Sequence, residues 1–477
     1  MTPRSSSRHR FAPRACAVAI VAALGLASAA TAHAENLMDA YRQALQSDPV
    51  LKQAEAQQRI GQAGAAISRA PLLPQLNGSV SYNGNHGTQR DAQVVDMGNG
   101  PVFLPPTTGS SGGLRSRTDS IGLNQVLFDL GDFEQWRASK ANARSTESQY
   151  VAAQQDLMLR VAQAYFTVLT DEDQLKFART NEASLKKQLD QAQAKYDVGF
   201  AAITDVADAK AQYDTAVADV ITAKNAVFND RQALAQITGQ PAGTLETLTD
   251  NLPMTPPDPD NTEDWVKTAL ANNPSLQAQR DQLESAQHSV TAAHAAHLPT
   301  LGASVSYSRN PAWGPGNISA AGLPSDVTVL RENTRNTDTA VGLVLTVPLF
   351  QGGGIIAQEK QAIAQRDQAD DLLEQDRRSV VSNTRNAFNA ITAGISSVDA
   401  QKAAVVSAKT ALDATQAGYQ IGTQTIVNLL IAQSNYFSAL SAYSQARHAL
   451  VINQLNLKYA AGTLSVKDLQ TVNTLLQ

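Results

Sequence analysis

Cysteine is almost missing from this chain. The one copy, Cys16, follows Arg4, Arg8, Arg10 and Arg14 and precedes most of an apolar run from Ala15 to Ala30. Ala32-His33-Ala34 then gives a small-x-small cleavage site, so residues 1–34 read as a secretory signal cut after Ala34. Its loss leaves no thiol, which excludes disulfides, cysteine nucleophiles and thiolate metal sites. Aromatic residues are also scarce, at 5%, and much of the 43% hydrophobic content is alanine. That mixture argues against a thick globular core and for thin helix–helix seams. No later stretch offers 18 apolar residues, so no transmembrane helix is expected, although a β-barrel needs none. A basic excess is lacking too: the net charge is −5, and about −9 without the four signal arginines, which argues against nucleic acid.

Chemistry-bearing constellations are equally sparse. No Ser/His/Asp arrangement stands out, and Gln351-Gly352-Gly353-Gly354-Ile355 lacks the Lys-Ser/Thr that a phosphate loop requires. It matches Asp129-Leu130-Gly131-Asp132 at an equivalent strand-to-helix junction. His288, His294 and His297 have no carboxylate beside them at ligand spacing and read as exposed helix histidines. No catalytic residue, cofactor site or metal site is expected, and the chain does not read as an enzyme.

What is present is a pattern that occurs twice. Tyr196 and Tyr419 are 223 positions apart, as are Gly199 and Gly422. Ala44-Leu45-Gln46-Ser47-Asp48-Pro49 is echoed by Ala269-Leu270-Ala271-Asn272-Asn273-Pro274, and Leu73-Pro74-Gln75-Leu76 by Leu298-Pro299-Thr300-Leu301, both at 225. This predicts a tandem duplication. Its boundaries are a first repeat over 35–239, a Pro-rich linker over 240–262, a second repeat over 263–462 and a C-terminal segment over 463–477. Each repeat should hold a helix, two alternating strands and a long helical hairpin. The helix from about Phe133 to Val198 would span roughly 100 Å. Lys195 to Phe200 and Ala417 to Thr423 read as the hairpin tips, where a Gly at positive φ turns the chain back.

The returning helices carry seven-residue periods: Leu429, Tyr436, Tyr443, Leu450 and Leu457, flanked by Ala432, Ala439 and Ala446. Val206, Tyr213, Val220, Val227 and Leu234, with Ala209, Ala216 and Ala223, repeat them. Such a period predicts a left-handed coiled coil with close helix pairs.

The strands alternate. Leu76, Val80 and Tyr82 oppose Asn77, Ser79 and Ser81; Ile121, Leu123 and Leu127 follow, and Val341, Leu343, Leu345 and Val347 end the set. Residues 83–118 and 309–337, rich in Gly, Pro, Ser and Asn, read as long loops. Four strands of about ten residues suffice to cross an outer membrane but not to close a barrel, and open edges do not survive in lipid. Several chains must therefore share one barrel; three make twelve strands and leave a bore. Asn77, Ser79, Ser81, Ser304, Ser306 and Ser308 suit its wet interior. Phe128, Phe350, Phe133 and Trp136 suit its lower interface.

At Tyr196 to Val206, Ala211 to Thr215, His297 to Leu301, Gly418 to Val427 and Ile452 to Asn456, the chain resembles the TolC family of outer-membrane efflux and type I secretion channels. The resemblance covers essentially the whole mature chain. It implies an α+β membrane protein: a homotrimeric 12-stranded outer-membrane β-barrel, four strands per chain, continued by a long α-helical coiled-coil periplasmic tunnel. It also implies an exit duct for drugs or proteins. The partners would be a periplasmic adaptor (membrane fusion protein), an inner-membrane pump of RND or ABC type, and outer-membrane lipid. A trimeric coiled-coil surface scaffold or adhesin without a through-channel is the rival reading, which leaves the duplicated strand pairs unexplained.

Carried over by position, the closed periplasmic entrance involves Tyr419, Gln188, Thr204 and Asp205, with a Tyr–Asp hydrogen bond whose loss in Tyr419→Phe should raise closed-state conductance. The family's arginine is Gln424 here, and its pore-lining aspartates are Asn428 and Ile431. Asp208, the repeat equivalent of Ile431, reads as a solvated charge on an outer helix face, with an acidic ring moved to the first hairpin as the alternative. The adaptor is expected at Val198, Gly199, Phe200, Ile421, Gly422 and Thr423.

Overall fold

The computed structural model describes residues 34–91, 94–96, 98, 100–103, 107–250, 252–319 and 330–477. The signal segment lies outside the described residues apart from Ala34. The chain runs through α1 (Leu37–Ser47), α2 (Pro49–Arg69), β1 (Gln75–Asp91), β2 (Val94–Asp96), β3 (Pro101–Phe103), β4 (Thr107–Phe128), α3 (Leu130–Asp197) and α4 (Ile203–Thr238). It continues through α5 (Thr262–Asn272), α6 (Pro274–Ala295), β5 (Thr300–Ser319), β6 (Leu330–Thr346), α7 (Gly354–Gln420), α8 (Ile426–Ala460) and α9 (Val466–Asn473). Apart from the small β2–β3 pair, the order of two short helices, two strands, a very long helix and a returning helix occurs twice.

The single helix expected ahead of the first strand pair is instead two helices. Pro49 has no N–H to continue α1, and Asp48 caps α2 by accepting from the Leu51 amide at 2.8 Å. Asn273 does the same before Pro274, accepting from the Leu276 amide at 3.1 Å. Arg160 pairs with Asp48 at 2.9 Å, tying this cap to α3.

The sheet order is β1-β4-β5-β6, all antiparallel, which leaves β1 and β6 as edges. The two loop expectations are overturned: β1 runs to Asp91, β4 begins at Thr107, β5 runs to Ser319 and β6 begins at Leu330. Strand ladders are built from backbone groups, and a ribbon wet on both faces needs no apolar alternation, so Gly, Ser and Asn do not end it. The strands hold 17 to 22 residues rather than about ten.

The main core lies midway along α3, where Leu157, Val161, Tyr165 and Phe166 meet Leu37 and Tyr41 of α1, Leu234 of α4, Val451 of α8 and Leu469 of α9. The Tyr165 hydroxyl bridges the Glu35 and Glu246 carbonyls at 2.9 Å each, so the buried phenol is satisfied. A second cluster joins Trp265 to Phe388, Ile391, Leu450 and Leu457. From this belt α3 and α7 extend as rods of 68 and 67 residues, about 100 Å each. No described helix is long and apolar enough to cross a membrane.

Candidate functional site

Two regions carry features that packing alone does not require: the sheet faces and the helical tips. Cross-strand partners share a face, so the register assigns every side chain. Leu76 pairs with Leu123, Leu123 with Val305, and Val305 with Val341. Two residues along lies the row of Ile121 and Tyr307; in the other direction Ala303 meets Leu343 and Leu301 meets Leu345. This face is apolar and exposed. The opposite face carries Asn77, Ser79, Ser81, Ser304, Ser306 and Ser308, as the alternation predicts, with the Ser79 and Ser120 hydroxyls 2.9 Å apart. One irregularity corrects the sequence reading: a register shift between Val126 and Phe128 sets Phe128, not Leu127, opposite Leu301. From Phe128 to Ile121 the apolar band is about 20 Å tall once strand tilt is allowed for, close to the band of outer-membrane barrels. At its lower edge Phe133 and Trp136 stack 5.7 Å apart, with Arg137 over Phe133 at 4.5 Å.

The strand-to-helix junctions differ chemically. Asp129 caps α3 by accepting from the Asp132 amide at 3.0 Å. Gly352 and Gly353 take φ of +60° and +81° to turn β6 into α7, which explains the glycine run without a phosphate. His294 and His297 are exposed as expected, but carboxylates from other helices reach all three histidines. His288 Nδ1 is 2.7 Å from Glu134 and half-buried, and Glu359 lies 3.1 Å from His294 Nδ1 and 3.5 Å from His297 Nε2. Among the described residues no group is arranged to hold a metal ion.

At the tips, both long helices end in the same turn. Gly199 (φ +81°) donates to the Tyr196 carbonyl and Phe200 to that of Lys195; Gly422 (φ +82°) donates to Tyr419 and Thr423 to Gly418. These are Schellman motifs, in which the glycine lacks the Cβ that would clash at positive φ. The turns present Val198, Phe200 and Ile421 at 67%, 86% and 77% exposure, against the burial expected of such side chains.

Just above the tips the hairpins meet. Ile426 and Leu430 of α8 bury against Leu185, Leu189 and Ala192 of α3, with Val206, Ala209 and Ala216 of α4 completing the cluster. Farther up the α3–α8 seam, Gln433 donates to Asn181 Oδ1 at 3.0 Å and Thr170 Oγ1 meets His448 Nδ1 at 2.8 Å. Burial pushes His448 down to about 4, aided by neighbouring Arg447 and opposed by Asp173.

The positions named for the entrance are distributed around this seam. Tyr419 lies half-buried at its lower end, its ring covered by Lys195 Nζ at 4.1 Å, and among the described residues no hydrogen bond joins it to Asp205. Asp205 and Thr204 open α4, with Asp205 half-buried and Thr204 exposed. Gln424 lies just ahead of α8 and does not reach either of them; its Oε1 accepts from Asn428 Nδ2 in the helix's first turn at 2.9 Å. Gln188, on α3 beside Leu189, has a buried Oε1 with no hydrogen-bond partner among the described residues. Asp208 and Ile431 are exposed. Sequence reading missed Lys195, whose only local signal was its place in the last turn of α3.

Comparison with known proteins follows this geometry. The family model for outer membrane efflux protein matches residues 40–240 and again 265–463. The outer membrane protein TolC of Vibrio cholerae is 35% identical over 462 residues, covering 95% of this chain and 96% of that one. The Escherichia coli protein of the same name is 36% identical over 449 residues, covering 93% and 85%. The alkaline protease secretion protein AprF of Pseudomonas aeruginosa is 27% identical over 443 residues, covering 92% and 87%. Among solved structures, the outer membrane protein VceC of Vibrio cholerae aligns with a TM-score of 0.71 at 19% identity, covering 89% and 96%. The Campylobacter jejuni CmeC outer membrane channel aligns at 0.70 and 18%, covering 93% and 90%. At those identities the structures speak for the fold, and the sequences speak for kinship: this chain belongs to the outer membrane efflux protein family, the TolC-type proteins of the outer membrane.

Proposed function

We propose that the protein is the exit duct of an export machine: a homotrimer whose shared 12-stranded barrel opens outward and whose helices form a periplasmic tunnel. One observation carries this reading. A sheet with one apolar and one serine-lined face, open at both edges, is joined to helical rods of about 100 Å. A lone four-stranded sheet with two open edges cannot remain in lipid, and three copies close it around a polar bore. The exposed apolar turns at Val198, Phe200 and Ile421 are the surface for a periplasmic adaptor, behind which stands an inner-membrane pump of RND or ABC type. Closure of the tunnel falls to the tip residues, with Tyr419, Asp205, Thr204, Gln188, Gln424 and Asn428 around the entrance. The double match of one family model supports a duplication with repeats at 35–239 and 263–462, a linker at 240–262 and a C-terminal segment at 463–477.

Planar-bilayer recording of the purified protein tests the reading. Stepwise ion conductance is expected, and its absence in correctly inserted protein would leave the scaffold or adhesin reading. Introduced cysteines at Phe200 and Ile421 should crosslink the adaptor in the periplasm, while one at the equatorial Val50 should not.

A further inference from the structure

The apolar face of the sheet ends abruptly at its outer side. Along β5, Val305, Tyr307, Arg309 and Trp313 share one face; along β4, Ile121, Asp119, Arg117 and Arg115 share it. Arg309 pairs with Asp119 on one side and Thr337 on the other, Arg115 with Trp313, Arg117 with Tyr82, and Pro311 with Arg335. Four arginines on three strands therefore begin where the apolar band stops. Two aromatic rings sit among them: Tyr82 and Trp313 meet edge-on with centroids 5.8 Å apart. Asp119 accepts from Arg117 Nε at 2.8 Å and neutralises one charge. Arg115, Arg309 and Arg335 have no ion pair among the described residues.

Three guanidinium groups with no ion pair among the described residues, set within four positions of one another along the strands, call for an anionic partner. With neighbouring strands about 4.8 Å apart and alternate residues about 7 Å apart, Arg335 stands about 8 Å from Arg309 and Arg115 about 14 Å from it, a span that long arginine side chains can close on one diphosphorylated headgroup. A guanidinium fork matches two oxygens of a phosphate, and tyrosine and tryptophan belong at the water–lipid boundary. The helices lie in the periplasm, so the far strand ends are external and this belt is level with the outer leaflet. We propose that Arg115, Arg117, Arg309 and Arg335 form a binding site for the phosphorylated headgroup of an outer-leaflet lipid, with Tyr82 and Trp313 packing beneath it. The site rests on the reading that the apolar sheet face meets lipid.

The test uses the full-length protein in mixed micelles, titrated with diphosphoryl lipid A, dephosphorylated lipid A or inorganic phosphate, with bound lipid counted by native mass spectrometry. Diphosphoryl lipid A should bind, and the Arg115→Gln/Arg309→Gln/Arg335→Gln variant should bind it roughly a hundredfold more weakly, about fivefold per charge. Dephosphorylated lipid A should bind no better to the wild type than to the variant. Equal binding of diphosphoryl lipid A by both proteins overturns the proposal, as does saturation by inorganic phosphate alone, which would mark a free-anion site. The Arg→Lys variant at the same positions guards against misfolding: it keeps the charge and should lose less affinity. A bimane label on Leu343→Cys, in the middle of the band, separates the two readings. Quenching by brominated phospholipid without selective lipid A binding sinks the arginine site alone, and no quenching in reconstituted protein sinks the lipid-facing sheet and the site with it.

Discussion

Lys195 and Tyr419 come from different hairpins, so their 4.1 Å contact spans the place where the hairpins would part. Two comparable contacts stay inside single hairpins, Lys186 over Tyr213 at 5.6 Å and Lys409 over Tyr436 at 5.8 Å, and both their lysines and their tyrosines are separated by the repeat offset. A cation over a tyrosine face contributes about 0.5–2 kcal/mol, and it uses the ring rather than the hydroxyl. Lys195→Gln and Tyr419→Leu should therefore each raise single-channel conductance, while Lys195→Arg and Tyr419→Phe stay near wild type. Opening by Tyr419→Phe would return the latch to the phenol hydroxyl that the family resemblance points to. This contact was illegible in the sequence because its partners are 224 positions apart and belong to non-equivalent places in the two repeats. Two titrating groups far up α3 and α8 from the tips oppose each other. Asp171 is pushed up to about 6 by burial and by the facing Asp230 carboxyl, so its protonated form favours the fold, and stability falls as pH rises from about 4 to 6. His448, held down at about 4, works the other way: the unfolded chain takes up more protons, and stability falls as pH drops from 6.5 to 4. Asp171→Asn should stabilise the protein by about 1 kcal/mol at pH 7, after allowance for its partial exposure, and the gain should fall to about a third near pH 4.5. Thermal melts at both pH values check this, and an equal gain at both would show that repulsion from Asp230 is not its source.

At the scale of elements, the tips were legible because a helix end leaves a local trace: Tyr-x-x-Gly marks both Schellman turns. Placing Ala at Gly199 or Gly422 puts a Cβ into left-handed backbone at about 1 kcal/mol each. No other atom stands within 4 Å of either added Cβ, so that cost is purely conformational. The seven-residue period was legible as well, and it buries Leu429, Leu450 and Leu457 in α8 and Val206, Ala209, Ala216 and Leu234 in α4. Ala216→Leu should overpack this close seam and cost about 1–3 kcal/mol in a denaturant titration, whereas Ala207→Leu, on the exposed side of α4, should cost little. The strands were legible only within the apolar band, where one face must be apolar. Beyond it the alternation lapses, and Gly- and Ser-rich ribbon looks like loop although its backbone ladder continues.

At the scale of the whole molecule, the sheet edges set the assembly. Among the described residues β1 and β6 present unpaired backbone edges alongside the apolar band, and each such group left in hydrocarbon would cost several kcal/mol. In the proposed trimer, pairing β6 of one protomer with β1 of the next would satisfy both edges at once, and the right-handed twist of the sheet favours closing the ring. Ring size decides whether a bore exists: eight strands pack solid with side chains, whereas twelve leave room that the serine face can keep wet. Ser79 on β1 and Ala340 on β6 lie on the serine-lined face in adjacent rows of the register, reached through Ser308 and Ser306 of β5. Cys16 is the one natural cysteine, so a Cys16→Ser chain with Ser79→Cys/Ala340→Cys carries only the introduced thiols. Oxidation in membranes should give a ladder on denaturing gels that stops at three chains, and the crosslinked product should keep its conductance. A ladder ending at two chains, or continuing without limit, would reject the shared 12-stranded barrel, because neither stoichiometry closes a bore of this width from four-stranded units.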